Sequence, residues 1–358
     1  MLKKIHFILL LSVISTAGIS QNKFEQLDFS DVDLHARSLQ YDGDLIALTK
    51  SLTTAYSEDI YKARSIFIWI TENMKYDYKL FNSDKGIALP DCEDVLDCTG
   101  IIKEWENKYL KKILKSKKAI CDGYARLFKR MCDIAGAECE MVNGYARTES
   151  WQVGASFNVN HAWNAVRLDS TWYFLDATWA AGGCTKDPET DLLDGFVKNY
   201  DNYYWLTPPE KLNRNHYPEK GKWAFENNFT REKFVNNPYY HGSVLEQINL
   251  LEPNTGFIQA CYGDTIHFKF TYEGEIDKLQ INSNTHSSPF IYEETIVKGK
   301  RKLVIDSMAL KKQRYILPAR NGNLYEFDYV VNSESLYYID VLFDHWKVMR
   351  FRVRVKTD

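Results

Sequence analysis

The sequence predicts an α+β protein: a helix packed on an antiparallel sheet, followed by a separate β-sandwich. Three observations carry that expectation. Apolar residues recur at helical spacing in two long stretches of the first half. The spacing changes to a period of two after Gly136. Short alternating segments then dominate residues 243–358.

The elements follow in chain order. Met1-Leu2-Lys3-Lys4 is basic, Ile5 to Ile14 is mostly apolar, and Gly18 and Ser20 stand at the −3 and −1 positions before Gln21. This pattern predicts a signal peptide over 1–20, with an uncleaved anchor as the alternative. The apolar run is too short to span a bilayer comfortably. Residues 22 to 60 are polar and mixed. Ile60, Ala63, Ile66, Phe67 and Ile70 predict a helix over Ser57 to Asn73. Lys75 to Gly100 reads as loop, and Gly100 to Leu114 as helix. Tyr124, Leu127, Phe128, Met131 and Ile134 line one face of a helix over Cys121 to Ala135, with Gly136 as its stop. Strands are expected over Glu140 to Ala146, His161 to Leu168 and Thr171 to Thr178, the last two joined at Asp169-Ser170. From Asp201 the chain reads as irregular cover. Residues 226–242 are polar and Asn-rich, a linker pattern. Alternation over Thr265 to Tyr272, Leu303 to Asp306, Tyr325 to Val331, Ser335 to Leu342 and Trp346 to Lys356 predicts the sandwich, with an immunoglobulin-like module as a candidate form. The expected domains are therefore 21–225, with its core over about 60–225, and 243–358.

Composition narrows the function classes. The 358-residue chain has a net charge of −3, so it lacks the basic footprint of a nucleic-acid binder. No later stretch approaches membrane-span length, so no stable span is expected after signal removal. An exported chain is expected in the periplasm, the cell envelope or the medium. Seven cysteines are present, at 92, 98, 121, 132, 139, 184 and 261. In an oxidising compartment an odd count leaves at least one free thiol, and Cys121 is the choice for it. Cys92 and Cys98 flank a short acidic loop and are a candidate pair. There is no Cys-x-x-Cys pair, which argues against a zinc knuckle.

Cys121 opens its helix, where unpaired amides and the helix dipole favour a thiolate. A histidine can take the thiol proton, and an acceptor on its other nitrogen fixes its tautomer. His161 and Asp176 are the candidates. Taken singly, each residue type at such a position is usually structural packing or capping; the ordered set is what points to catalysis. A two-residue turn at Asp169-Ser170 pairs Leu168 with Thr171. By that register Asp176 faces Trp163, and His161 becomes its diagonal neighbour on the same face. A three-residue loop would put Asp176 on the opposite face. The backbone amide of Cys121 is the first candidate oxyanion donor. Trp105 and Asn107 are candidates for the second by position only.

Four segments resemble the transglutaminase-like superfamily, in particular its kyphoscoliosis-peptidase-like branch. They are Ala63 to Ile70 with Asn73 and Tyr76-Asp77-Tyr78; Cys121-Asp122-Gly123-Tyr124-Ala125; His161-Ala162-Trp163-Asn164 with Asp176-Ala177-Thr178-Trp179 and Gly182; and Tyr203-Tyr204-Trp205-Leu206 with His216-Tyr217-Pro218 and Trp223. The resemblance covers about residues 60–225. It implies a papain-like transglutaminase core, a thioester acyl-enzyme, and Cys121 as nucleophile, His161 as general base and acid, and Asp176 as orienting residue. The paired zinc cysteines of peptide N-glycanase relatives are missing, which disfavours glycan removal. Asp91 to Asp97 is acidic but lacks the ligand spacing of an EF-hand. No cofactor or metal is expected. The expected activity is exported cysteine chemistry on protein or peptide amide bonds, with cell-wall peptide among the candidate substrates and hydrolysis favoured over crosslinking. A crosslinking transglutaminase of the cell envelope and a non-catalytic scaffold on the same fold are the alternatives. Oligomeric state is not legible.

Overall fold

The computed structural model describes residues 24, 26–83, 85–92, 98–187, 189–224 and 229–356. The expected signal peptide, residues 93–97 of the acidic loop and residues 225–228 lie outside them.

The first half is built on two central helices and a four-stranded sheet. Its elements are α1 (Ser30–Ser38), α2 (Leu45–Thr53), α3 (Asp59–Asn73), β1 (Lys75–Tyr76), α4 (Tyr78–Asn82), α5 (Thr99–Ser116), β2 (Lys118–Ala119), α6 (Cys121–Ala135) and β3 (Cys139–Ala146). They continue as β4 (His161–Leu168), β5 (Thr171–Leu175), α7 (Ala177–Ala181), β6 (Gly182–Lys186), β7 (Leu193–Lys198), α8 (Pro209–Leu212) and β8 (His216–Pro218). Strands β3, β4, β5 and β8 form an antiparallel sheet in the order β5-β4-β3-β8. Helix α6 buries Tyr124, Leu127, Phe128 and Met131 in the shared core, and Gly136, at φ 75°, ends it in the left-handed conformation glycine tolerates.

Several segments carry more structure than the sequence predicts. Residues 22–60 hold α1 and α2. The α1 core face includes a carboxylate, Asp33, which meets the buried Arg64 guanidinium at 2.7 Å, so an apolar period is not visible there. Asp44 caps α2 by accepting the Ile46 and Ala47 amides. The loop expected over Lys75 to Gly100 includes β1 and α4, and the irregular cover from Asp201 contains α8 and β8. The return strand expected to reach Thr178 stops at Leu175. The Asp176 carboxylate accepts the Thr178 and Trp179 amides at 2.8 and 3.1 Å, starting α7 in place of further strand. Cys92 and Cys98 are bridged, with Cα atoms 5.7 Å apart.

The segment expected as a linker contains α9 (Arg231–Asn236) and β9 (Tyr239–Tyr240). Phe234 of α9 is buried, and the Arg147 guanidinium donates to the carbonyls of Phe234 and Val235. Beyond it come β10 (Ile248–Glu252), β11 (Phe257–Cys261), β12 (Thr265–Tyr272), β13 (Leu279–Ser283), β14 (Tyr292–Val297) and β15 (Lys300–Ile305). Then follow α10 (Ser307–Lys311), β16 (Tyr315–Ile316), β17 (Ala319–Asn321), β18 (Leu324–Val330), β19 (Tyr338–Phe343) and β20 (Trp346–Lys356). One sheet runs β10-β12-β18-β17 and the other β11-β20-β19-β13-β16, with β9 also on β20. Alternate residues of both sheets, among them Phe268, Phe270, Phe327, Val341 and Phe351, fill a second core. Leu303 to Ile305, expected within the sandwich, belongs to a separate β14–β15 hairpin.

Candidate active site

Three elements bring Cys121, His161 and Asp176 together. Cys121 is the first residue of α6 and is half-buried. Strand β2 leads into it, and β1 pairs with β2 in parallel, setting Tyr76 opposite Ala119. His161 is the first residue of β4, paired with Gly144 of β3. Asp176 directly follows β5. Asp169 and Ser170, at φ 47° and 69°, make a two-residue turn that pairs Leu168 with Thr171 and Asn164 with Leu175. This is the even loop expected, and it turns Asp176 to the His161 side. Asn164 ties the sheet to α6, its carboxamide donating to the Ala125 carbonyl at 3.0 Å.

His161 Nε2 lies 2.7 Å from Asp176 Oδ2, with both side chains almost wholly buried. The Cys121 thiol acts on the same ring, and its interaction favours the protonated imidazole. Burial works against an imidazolium. The Asp176 charge, its hydrogen bond and the Cys121 contact outweigh that and raise His161 to about 10. Burial likewise opposes the Asp176 anion, but the His161 charge and the bonds from both histidines hold it below the ordinary carboxyl range. The site therefore holds an ion pair between His161 and Asp176. Trp163 and Trp179 flank the His161 ring, at centroid distances of 5.9 and 5.5 Å, and keep water from it.

Two neighbours escaped the sequence reading. His216 Nε2 lies 3.2 Å from the same Asp176 Oδ2. The available signal is the His216-Tyr217-Pro218 segment, which carries part of the family resemblance but gives His216 no role at the site. Tyr76 is the other. Burial first, then the charge of Cys121, push its phenol far above the ordinary value, so it stays protonated. Of the positional candidates, Trp105 stacks on Tyr109 at 5.3 Å beneath the Arg126 guanidinium, and Asn107 is exposed.

His161, Asp176 and His216 present ligand-type atoms all within 4.8 Å of one another. The His161–Asp176 separation of 2.7 Å is that of a hydrogen bond. It is shorter than the edge of about 3.3 Å that a tetrahedral zinc site with bonds near 2.0 Å would impose.

A family model described as "Transglutaminase-like superfamily" matches residues 46–177. Kyphoscoliosis peptidase of Mus musculus is 29% identical over 239 residues, covering 66% of this chain and 32% of that protein. Hillarin of Drosophila melanogaster is 25% identical over 335 residues, covering 88% of this chain and 37% of that protein. The chain thus spans about a third of the length of these curated relatives. Among solved structures, one titled "Crystal structure of a TGase" is similar over 54% of this chain and 40% of that chain, at 18% identity and a TM-score of 0.27. Cys121, His161 and Asp176 all fall inside the matched segment, and residues 46–177 of this chain are a transglutaminase-like superfamily domain.

Proposed function

We propose that this chain is a cysteine enzyme that cleaves amide bonds of protein or peptide substrates, with Cys121 as nucleophile, His161 as base and acid, and Asp176 as orienting residue. The observation that carries it is the buried His161–Asp176 bond of 2.7 Å on a ring that also interacts with the Cys121 thiol. The thiol proton already rests on His161, whose imidazolium pairs with Asp176, and the Cys121 sulfur bonds to the substrate carbonyl carbon as the carbonyl electron pair moves to oxygen. His161 then returns the proton to the departing amine as the C–N bond breaks, leaving a thioester. Water, deprotonated by His161, cleaves the thioester to a carboxylic acid and the free thiol. Hydrolysis is favoured because water is always available, whereas crosslinking needs a site that excludes it and admits an amine. Export through residues 1–20 belongs to the same proposal.

Iodoacetamide labelling tests the nucleophile. At about pH 5 Cys121 should be alkylated while ordinary thiols, with pKa near 8.5, are not. Absence of preferential labelling, or labelling unchanged in Cys121→Ala, would favour a scaffold. Incubation with a glutamine-containing protein and a tagged amine separates the two enzyme readings. Cys121-dependent tag incorporation would show that hydrolysis is not the sole activity.

The Cys121 amide and the Tyr76 hydroxyl are the proposed oxyanion donors. Tyr76→Phe is expected to lower turnover of an amide substrate by about 10²- to 10³-fold. Alkylation of Cys121 by iodoacetamide should be unchanged, because that reaction forms no oxyanion. Equal loss in both assays would assign Tyr76 a structural role instead.

A further inference from the structure

His216 takes no part in the reaction above, yet it is the second ring on the carboxylate that orients His161. It opens β8, pairs with Ala146 of β3, and its side chain is fully buried. Its Nε2 lies 3.2 Å from Asp176 Oδ2, the oxygen that His161 Nε2 meets at 2.7 Å. Trp163 and Trp179 close on it edge-to-face, with centroids 5.1 and 4.6 Å away. Its Nδ1 lies 2.6 Å from the Asn215 carboxamide oxygen, and the carboxamide nitrogen is 3.3 Å from the Tyr204 hydroxyl. The Tyr204 carbonyl also accepts the backbone N–H of Asp176 at 2.9 Å. A buried chain of Tyr204, Asn215 and His216 therefore ends on Asp176.

Proton counting sets the direction of this chain. An ionised carboxylate only accepts, so both rings facing Oδ2 must donate from Nε2. The titratable groups facing His216 are Asp176, His161 and Tyr204. Protonating both rings would leave two buried cations on one anion. Burial, aided by the His161 charge and opposed by Asp176, lowers His216 to about 4. The ring is then neutral at pH 7, with its one proton on Nε2 and a bare Nδ1 that can only accept. A half-turn of the Asn215 carboxamide, which exchanges its O and N, brings an N–H to Nδ1. The carboxamide oxygen then accepts from Tyr204, whose phenol burial keeps protonated.

We propose that His216 is a positioning residue: a neutral Nε2–H donor, polarised by Asn215 and Tyr204, that occupies Asp176 Oδ2 beside His161 and fixes the carboxylate that aims His161 at Cys121. The proposal rests on the catalytic reading of Cys121, His161 and Asp176.

Histidine ¹⁵N NMR on the full chain reads the tautomers directly. The expected result at pH 7 is a neutral Nε2–H ring for His216 and an imidazolium for His161. A cationic His216, or a proton on its Nδ1 alone, overturns the proposal. His216→Phe keeps a ring without the donor, and His216→Gln supplies an amide N–H. His216→Phe should move the His161 titration to lower pH and slow Cys121 alkylation by iodoacetamide at about pH 6 by about 10- to 100-fold, the range for losing a hydrogen bond to a charged group. His216→Gln should restore both towards wild type. Wild-type titration and alkylation in His216→Phe would overturn the proposal. If His216→Phe does not fold, the tautomer measurement and a second readout decide. A ring lowered from 6.5 to about 4 in the folded state makes stability fall as pH drops through that window, and His216→Gln should flatten that slope in thermal melts. An unflattened slope counts against it. An unreactive wild-type Cys121 would sink the catalytic reading, while the His216 tautomer and the His161 titration would still be measured on their own.

Discussion

Asp176→Ala is expected to give the largest combined loss. The carboxylate is fully buried and satisfies four donors: the Thr178 and Trp179 amides on Oδ1 and the two histidines on Oδ2. Removing it leaves the His161 imidazolium without a counter-charge and α7 without its cap. Breaking a buried pair in this way costs about 3–5 kcal/mol. Asp176→Asn isolates the chemistry. Its oxygen can still cap α7, but an N–H₂ now faces two ring N–H groups, so His161 must change tautomer. Such a change lowers turnover by roughly 10⁴-fold. The pH dependence of stability supplies a second readout. The depressed Asp176 contributes stability that is present above the ordinary carboxyl value of 3.8 and lost as pH falls through its lower folded value. His161, raised from 6.5 to about 10, contributes stability that is full below 6.5 and lost as pH rises towards 10. Denaturant melts across pH should show both limbs in wild type and neither in Asp176→Asn. Persistence of both limbs in the variant would assign them to other groups.

Gly144→Ala is the second. Gly144 lies on β3, opposite His161 and Pro218, with ordinary φ, so its need for glycine is steric. A Cβ there would collide with the Tyr217 carbonyl, sit 2.5 Å from the Trp163 ring and 2.9 Å from the Pro218 Cα. Two of the three obstacles are backbone of β8, so relief must displace the strand that carries His216. Overpacking of this kind costs about 1–3 kcal/mol. Cys121 alkylation should slow with it as the carboxylate loses its seat. Gly136→Ala is the control: a Cβ there meets nothing within 4 Å, and only the left-handed φ is strained. It should cost stability of about 1 kcal/mol without changing Cys121 reactivity. Equal effects on reactivity in the two variants would refute the steric account.

The legible parts share one property: their signal is local. Helix α6 runs over Cys121–Ala135 as its apolar stripe and Gly136 predict, and β4 over His161–Leu168 as its alternation predicts. The two-residue turn at Asp169-Ser170 follows from residue types that tolerate positive φ, and parity then turned Asp176 to the His161 side. The illegible parts depend on partners distant in sequence. Helix α1 was hidden because its buried Asp33 is matched by Arg64, 31 residues away. Strand β8 is three residues long and finds its partner at Ala146, 70 positions earlier.

The sequence by itself determined the helix start under Cys121, the strand under His161 and the register that turns Asp176 towards it, because periodicity, turn chemistry and parity act within a few residues. Only the tertiary structure decided what surrounds the carboxylate. Oδ1 starts α7, Oδ2 holds two rings, and the parallel β1–β2 pair sets Tyr76 opposite Ala119, two residues before Cys121. A buried anion must be satisfied by donors wherever the chain can bring them, and in this fold they arrive from β4, β8 and the first turn of α7.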